Sequence, residues 1–265
     1  MEEDPLLTPE HAQPQDELEK PVPLRGLLVR DVLIASANYA LLAFVHISFS
    51  ALQPVFLSTP IEFGGLGLDP AVIGTVVSCF GILIAVFTVL FFSWLTDYFG
   101  VKGVYLMGVS AAVPSFALFP VISHLARNST DGLGVAVWVA VGAQLTLSAM
   151  VWLGYGTSFP EELYRECIQI SNAHRSYISG AVFIFIAAAA PNKASLGATN
   201  GIAQVLVSIT RAVGPAFVNS VYSLSIDKEH HYMNGGLVYY MTVVLSLGAV
   251  WMGSLLPKHP FKDTK

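Results

Sequence analysis

Residues 71–95 read AVIGTVVSCFGILIAVFTVLFFSWL, residues 96–100 read TDYFG, and residues 101–124 read VKGVYLMGVSAAVPSFALFPVISH. A short polar turn thus separates two apolar runs, each longer than the roughly 20 residues that a helix needs to cross a bilayer. Four more such runs lie at 31–57, 133–156, 197–223 and 235–256. The sequence therefore predicts an all-α, polytopic membrane protein with six transmembrane helices within residues 31–256.

The composition agrees with a chain whose main partner is the lipid bilayer. Hydrophobic residues make up 54% of the 265 positions and charged residues only 12%, about half the charged share of a soluble domain. Seven acids lie in the first 20 residues and no basic patch follows, so we predict no nucleic-acid partner. No metal-ligand cluster or nucleophile–base pair has recognisable spacing. We therefore predict no enzyme activity, no catalytic residues, no metal site and no cofactor.

Charge distribution predicts the orientation. Residues 1–30 are acidic and Pro-rich, and we interpret them as a disordered cytoplasmic tail or linker; residues 257–265 form a second cytoplasmic tail. With that assignment, the cytoplasmic basic residues are Lys20, Arg25, Arg30, Lys102, Lys193, Lys258, Lys262 and Lys265. Only Arg127 and Lys228 lie on the far side. This positive-inside bias supports six crossings of a multi-pass protein, in either a plasma or a vacuolar membrane.

Polar residues follow one face of the fifth predicted span. They are spaced 4, 4, 3, 4 and 4 positions apart: Asn200, Gln204, Ser208, Arg211, Pro215 and Asn219. Such a stripe either lines a substrate pathway or supplies hydrogen bonds between helices. Arg211 favours the pathway, because a guanidinium stays charged and needs a carboxylate, a headgroup or an aqueous cavity.

Other spans carry weaker polar patterns. The first has Asn38, His46, Ser50 and Gln53, and the fourth has Gln144, Ser148 and Trp152 on one face. We include Asn38, His46 and Gln144 among the pathway candidates; the alternative for His46 is a neutral histidine hydrogen-bonded to a neighbouring helix. No span contains an acid, so a proton coupled to transport would use His46 or a group elsewhere. Small residues in the second span predict close helix packing: Gly74, Ser78, Gly81, Ala85 and Thr88.

Two segments carry a family resemblance. Residues 93–102, SWLTDYFGVK, resemble the G-x-L-x-D-R-x-G-R/K loop of the major facilitator superfamily, with Asp97, Gly100 and Lys102 matching. Ser93 and Tyr98 replace the first glycine and the arginine, which places a salt bridge through that arginine in doubt. APNK at 190–193, GATNG at 197–201 and SITRAVGPA at 208–216 resemble the eleventh-helix region of fungal multidrug-type proton antiporters and plant zinc-induced facilitators. FLSTP at 56–60 and GGLGL at 64–68 resemble their seventh-to-eighth helix loop.

The resemblance implies a particular architecture. Family members have twelve helices in two halves, with substrate bound between them and access alternating by rocking. The chain would be the C-terminal half, moving a small organic solute in exchange with protons, and would need the missing N-terminal half as its partner. Asp97, Gly100 and Lys102 would form the conformational loop, and Gly214 and Pro215 would allow a bend in the eleventh helix. The alternative is a transport-incompetent half-protein, either an inert fragment or a membrane interaction or regulatory partner.

Residues 157–180 interrupt the apolar pattern with a polar insertion that the family lacks. Removing these 24 residues joins Gly156 directly to Ala181 and yields one continuous apolar helix. We interpret the segment as a translated intron. Its removal takes out whole codons and so keeps the reading frame, and the glycine codons at Gly156 and Gly180 can supply the splice signals. The alternative is a genuine cytoplasmic insertion. The remaining apolar stub, 181–190, is too short to cross a bilayer.

Overall fold

The computed structural model describes residues 22–129, 133–155, 181–226 and 235–256. Six α-helices account for most of them: α1 (Arg30–Ser58), α2 (Pro70–Arg127), α3 (Val135–Tyr155), α4 (Ala181–Ala189), α5 (Leu196–Ser225) and α6 (Leu237–Ser254). Short 3-10 turns lie at Leu24–Leu27, Ile61–Phe63 and Lys193–Ser195. Strands are absent from the described part of the chain, and the all-α prediction is confirmed.

Gly100 divides α2 into two arms. Its φ of 71° and ψ of 163° are not helical, and glycine adopts a positive φ without a steric penalty. The first arm contains the candidate span Pro70–Thr88 and the second is Lys102–Arg127. With α1, α3, α5 and α6, these arms give six described stretches long and apolar enough to cross a membrane. The six-span prediction is confirmed.

Contacts at the two ends of the bundle define its topology. At one end, the backbone N–H of Val22 donates to Ser195 Oγ at 2.9 Å, and Lys102 Nζ donates to the carbonyl oxygens of Ser254, at 2.8 Å, and of Leu256. At the opposite end, Tyr222 Oη donates to Thr59 Oγ1 at 3.0 Å. Successive crossings therefore alternate in direction, and the described segments before α1 and after α6 share the end that carries Lys102.

An aromatic cluster joins α1, α2 and α6 towards the Thr59 end. Phe119 stacks on Tyr239 with ring centroids 5.1 Å apart, and Phe56 meets Phe119 edge-on at 4.9 Å. Phe49 contacts Phe116 at 5.9 Å. Because lipid is as apolar as these rings, they stabilise the bundle in a bilayer through close packing and ring geometry rather than through removal from water.

Backbone hydrogen bonds hold the connection between α1 and α2 against the end of α1. Three N–H groups reach back to the last carbonyls of α1: Leu66 to Phe56, Gly67 to Thr59 at 2.8 Å, and Leu68 to Leu57 at 2.9 Å. Gly64 and Gly67 have φ values of 94° and 62°. The loop thus satisfies carbonyl groups that a helix end otherwise leaves without partners.

Two spans bury little of their surface within this bundle. Only 11% of the Pro70–Thr88 window and 22% of the Lys193–Ser225 window are buried, against 33–50% for the other four. A Cβ added at Gly74 or Gly81 would meet no heavy atom within 4 Å. Ser78 and Ala85 are exposed as well, whereas Thr88 is buried. Among the described residues, the close packing predicted for the small-residue stripe is therefore made only at Thr88, and the rest of that face is open.

Candidate functional site

The polar stripe of α5 lies beside the face that packs into the bundle. The buried residues of α5 are Thr199, Ala203, Val207, Gly214, Val218, Tyr222 and Ser225. Most members of the stripe lie one position further along the chain, and one residue is a rotation of about 100° around a helix. Asn200, Ser208 and Arg211 are exposed, and Gln204, Pro215 and Asn219 are half-buried. The stripe therefore borders the packed face and opens away from the core.

The charge of Arg211 on α5 acts on the pathway candidate of α1. Arg211 interacts electrostatically with His46, which lies near the middle of α1. The imidazole meets the indole of Trp152 edge-on, with ring centroids 4.1 Å apart. A titratable ring and an aromatic surface thus lie together within the field of a cation, a combination suited to a polar aromatic or anionic solute.

Gly214 allows α5 to approach α1 beside this cluster. A Cβ at Gly214 would lie 2.7 Å from Ile47 Cγ2, which is inside van der Waals contact, so a larger residue would force the helices apart. Phe44 and Phe217 pack next to the contact, with ring centroids 6.2 Å apart. Pro215 lies inside the continuous helix α5. The bend predicted at Gly214–Pro215 stays a prediction.

Asn38 lies in a contact between helices at the Lys102 end. It is 1% exposed, and its Nδ2 donates to Ile34 O at 2.9 Å and to Met252 O at 3.2 Å. Tyr105 Oη lies 3.3 Å from Asn38 Oδ1 and donates to it. Asn38 thus joins α1, the second arm of α2 and α6 by hydrogen bonds, and its role in a pathway stays a prediction.

Gln144 makes a similar contact between α3 and α2. Its Nε2 donates to Ser115 O, and Ser115 Oγ donates to Gln144 O, both at 3.1 Å. Gln144 is fully buried. Neither Gln144 nor Asn38 is placed on the open face with Asn200 and Arg211.

The conformational-loop residues cluster around the break in α2. Asp97 is exposed three positions before Gly100, and Gly100 supplies the non-helical backbone. Lys102 donates to the C-terminal carbonyls of α6, where a cation is favoured by the helix dipole. Sequence reasoning missed this partner, because 152 positions separate Lys102 from Ser254 and no local pattern links them.

Asn38 should matter for stability more than for chemistry. We expect Asn38→Leu to remove the two hydrogen bonds that Nδ2 donates and the one that Oδ1 accepts from Tyr105, and to destabilise the bundle by roughly 1 kcal/mol. The check is the midpoint of thermal unfolding in detergent, with Ser50→Ala, an exposed position on the same helix, as the control. An unchanged midpoint together with impaired solute transport in a transport-competent form would instead identify Asn38 as a pathway residue.

The described residues contain no group of three or more His, Cys, Asp or Glu placed to hold a metal ion. His230 and His231 lie outside the described residues. Six described stretches long enough to cross a membrane, with a glycine-broken turn between the second and the third, characterise a multi-pass integral membrane protein.

Curated relatives name the family to which this architecture corresponds. The chain is 25% identical over 251 residues to "Major facilitator-type transporter psiT2" of Psilocybe cyanescens, covering 94% of this chain and 44% of the relative. It is 24% identical to "Major facilitator superfamily multidrug transporter mfsB" of Aspergillus fumigatus, covering 86% and 35%. It is 22% identical to "Protein ZINC INDUCED FACILITATOR-LIKE 1" of Arabidopsis thaliana, covering 80% and 38%.

The chain is therefore homologous to major facilitator-type transporters, and the resemblance predicted from its motifs is confirmed. It spans about two fifths of the length of the curated relatives that it matches. No family model matches the chain, and no solved structure matches it.

Proposed function

We propose that the chain is the C-terminal half of a secondary transporter that moves a small organic solute, coupled to protons, by alternating access. The homology to major facilitator-type transporters supports the class. Coverage of 35–44% of the relatives' lengths supports a half-bundle. The positive charges at the Lys102 end support the orientation in which the chain's two ends face the cytoplasm.

The observation that carries this proposal is the exposed polar stripe of α5, from which the Arg211 charge acts electrostatically on His46, whose ring packs edge-on against Trp152. Intramembrane charges are costly unless they face a partner or a wet cavity. Arg211, Gln204 and Asn200 would line such a cavity, with His46 at its wall. A cation there favours a solute that carries a carboxylate, phosphate or electron-rich aromatic group.

We propose that a six-helix N-terminal half covers the open faces. The two least buried spans, Pro70–Thr88 and Lys193–Ser225, would supply the contact surface. A Cβ at Gly197 or Gly201 would meet nothing within 4 Å, as at Gly74 and Gly81. Small residues on exposed membrane helices suit close approach of further helices, and the pathway would then run between the two halves.

Reconstitution tests the function. The chain would be placed in liposomes alone and, separately, joined through residues 22–30 to the N-terminal six helices of a relative. A panel of labelled organic cations, anions and neutral aromatics would be offered under an imposed proton gradient. We expect gradient-driven uptake of at least one solute by the joined form only. Correctly folded joined protein that moves none of the panel would contradict the proposal.

The alternative function, a membrane interaction or regulatory partner, makes the opposite prediction. It is supported by the open faces themselves, because one wall of the pathway is missing from this bundle. In that case the isolated chain would bind a full-length transporter in detergent and alter its rate, while the joined form would remain inactive.

Proton coupling should depend on His46 if that residue carries the proton. We expect His46→Gln to leave downhill solute flux measurable while abolishing uphill uptake driven by a proton gradient, because the amide keeps polarity but cannot titrate. Ser48→Ala, on the same helix, is the control. Gradient-driven uptake by His46→Gln equal to that of the unmodified protein would assign coupling to another group.

A further inference from the structure

Helices α3 and α4 lie on either side of residues 156–180, which are outside the described residues. The nine described residues of α4 extend about 13 Å at 1.5 Å per residue, less than half of the roughly 30 Å hydrocarbon thickness. Their core face is packed, because Val182, Phe185 and Ile186 are each 1–2% exposed. The described part of α4 is therefore too short to be a crossing by itself.

Contacts with α1 give the positions of α3 and α4 along the bundle. Trp152, near the end of α3, meets His46 with ring centroids 4.1 Å apart. Phe183, near the start of α4, meets Tyr39 at 5.2 Å. Seven residues separate Tyr39 from His46, so α4 lies about 10 Å closer than Trp152 to the start of α1. Phe185 also contacts Tyr105, at 6.0 Å, on the second arm of α2.

The same spacing appears in α3 and α4 once residues 157–180 are left out. Trp152 and Phe183 are 31 positions apart in the chain, and 24 of those positions belong to 157–180. Seven positions remain, and seven residues are about two turns of one helix. An uninterrupted helix running antiparallel to α1 would therefore place Phe183 against Tyr39 whenever Trp152 lies against His46.

The position of α3 along the bundle is a second, independent reason to treat α3 and α4 as one helix. Arg30 begins α1, and His46 lies 16 positions later, which is about 24 Å along the helix. The last described residue of α3, Tyr155, lies three positions beyond Trp152 and so about 20 Å short of the level of Arg30. Residues 157–180 follow in the chain and contain Glu161, Glu162, Arg165, Glu166 and Arg175, and charge at hydrocarbon depth is costly.

We infer that α3 and α4 are two parts of a single membrane-crossing helix and that residues 157–180 are inserted between them in the chain. The chain without those residues would be the form in which the fourth crossing is continuous. This inference concerns assembly of the bundle and does not depend on the proposed transport function.

Deletions of three lengths test it. Removing 157–180 keeps Phe183 on the face that meets Tyr39, whereas removing 157–181 or 157–182 rotates α4 by about 100° or 200°. We expect the 24-residue deletion to unfold at or above the temperature of the full chain in detergent, and both longer deletions to unfold several degrees lower. Equal midpoints for all three deletions, or a lower midpoint for the 24-residue deletion, would overturn the inference.

Cross-linking keeps the test valid even if a deletion fails to fold. In a full chain carrying Cys79→Ser and Cys167→Ser, we would introduce Tyr39→Cys with Phe183→Cys and treat the membranes with a short bismaleimide. We expect an intramolecular cross-link by mass spectrometry in the full chain and in the 24-residue deletion, with at least a five-fold loss in the 157–182 deletion. A folded full chain that gives no cross-link would show that α4 does not continue α3.

Discussion

Replacing Arg211 by alanine should abolish transport while leaving the protein expressed and folded. The guanidinium lies on the exposed stripe of α5, interacts with His46 and is not among the buried residues that hold α5 to the bundle. Its removal should therefore cost little packing energy but should take away the charge that we assign to the pathway. In the joined, transport-competent form we expect at least a 100-fold loss of uptake, equivalent to about 2.7 kcal/mol.

A matched series separates charge from shape at this position. Arg211→Lys keeps the charge but loses the planar, bidentate donor arrangement, and it should retain partial uptake if charge alone matters. Val213→Ala, at an exposed apolar position on the same helix, should transport normally. Unfolding midpoints within about 2 °C of the parent would show that the fold is intact. Normal uptake by Arg211→Ala would remove Arg211 from the pathway.

The membrane spans could be predicted from sequence because hydrocarbon imposes a strong constraint. Backbone polar groups must be satisfied within the span, so long apolar runs become helices. The predicted run 31–57 corresponds to α1 at Arg30–Ser58, and 197–223 to α5 at Leu196–Ser225. Gly100 was also identifiable, since a glycine in a short turn between two spans supplies the positive φ found there.

The faces of most helices could not be predicted in the same way. Lipid is as apolar as a protein core. The sequence of an apolar membrane helix therefore gives little indication of which face is buried in the protein. Asn38 and Arg211 illustrate the difficulty, because both are polar residues within a span. The structure buries Asn38 against Met252 O and leaves Arg211 on an open face. Only α5, with a polar residue on nearly every turn, displayed its stripe in the sequence.

Contacts between residues far apart in the chain also could not be predicted from the sequence. Lys102 was identified through the family loop, but its contacts with the end of α6 depend on how the second arm of α2 packs beside that helix. The register between α3 and α4 likewise becomes visible only through Tyr39 and His46. In both cases the missing information is the relative position of two elements far apart in the chain.

Gly65→Ala should be the most destabilising single substitution of a glycine in the described bundle. An added Cβ would lie 2.1 Å from Thr59 O and 2.5 Å from Phe56 O. Both carbonyls accept hydrogen bonds from the loop itself, from the N–H groups of Gly67 and Leu66. Rotation of a side chain cannot remove this clash. The backbone must move instead, which breaks the hydrogen bonds between the loop and the end of α1. We expect a loss of about 3 kcal/mol.

The matched control is Gly74→Ala, because a Cβ there would meet nothing within 4 Å and the residue lies inside a helix. Alanine favours helix over glycine by up to about 1 kcal/mol, so this variant should unfold at or slightly above the parent temperature. The two variants would be compared by fluorescence-detected size exclusion after heating, which reports the fraction of monodisperse protein and the unfolding midpoint. If Gly65→Ala behaved like Gly74→Ala, the connection between α1 and α2 would have to relax without cost, and the carbonyls of Phe56 and Thr59 would not be held by Leu66 and Gly67.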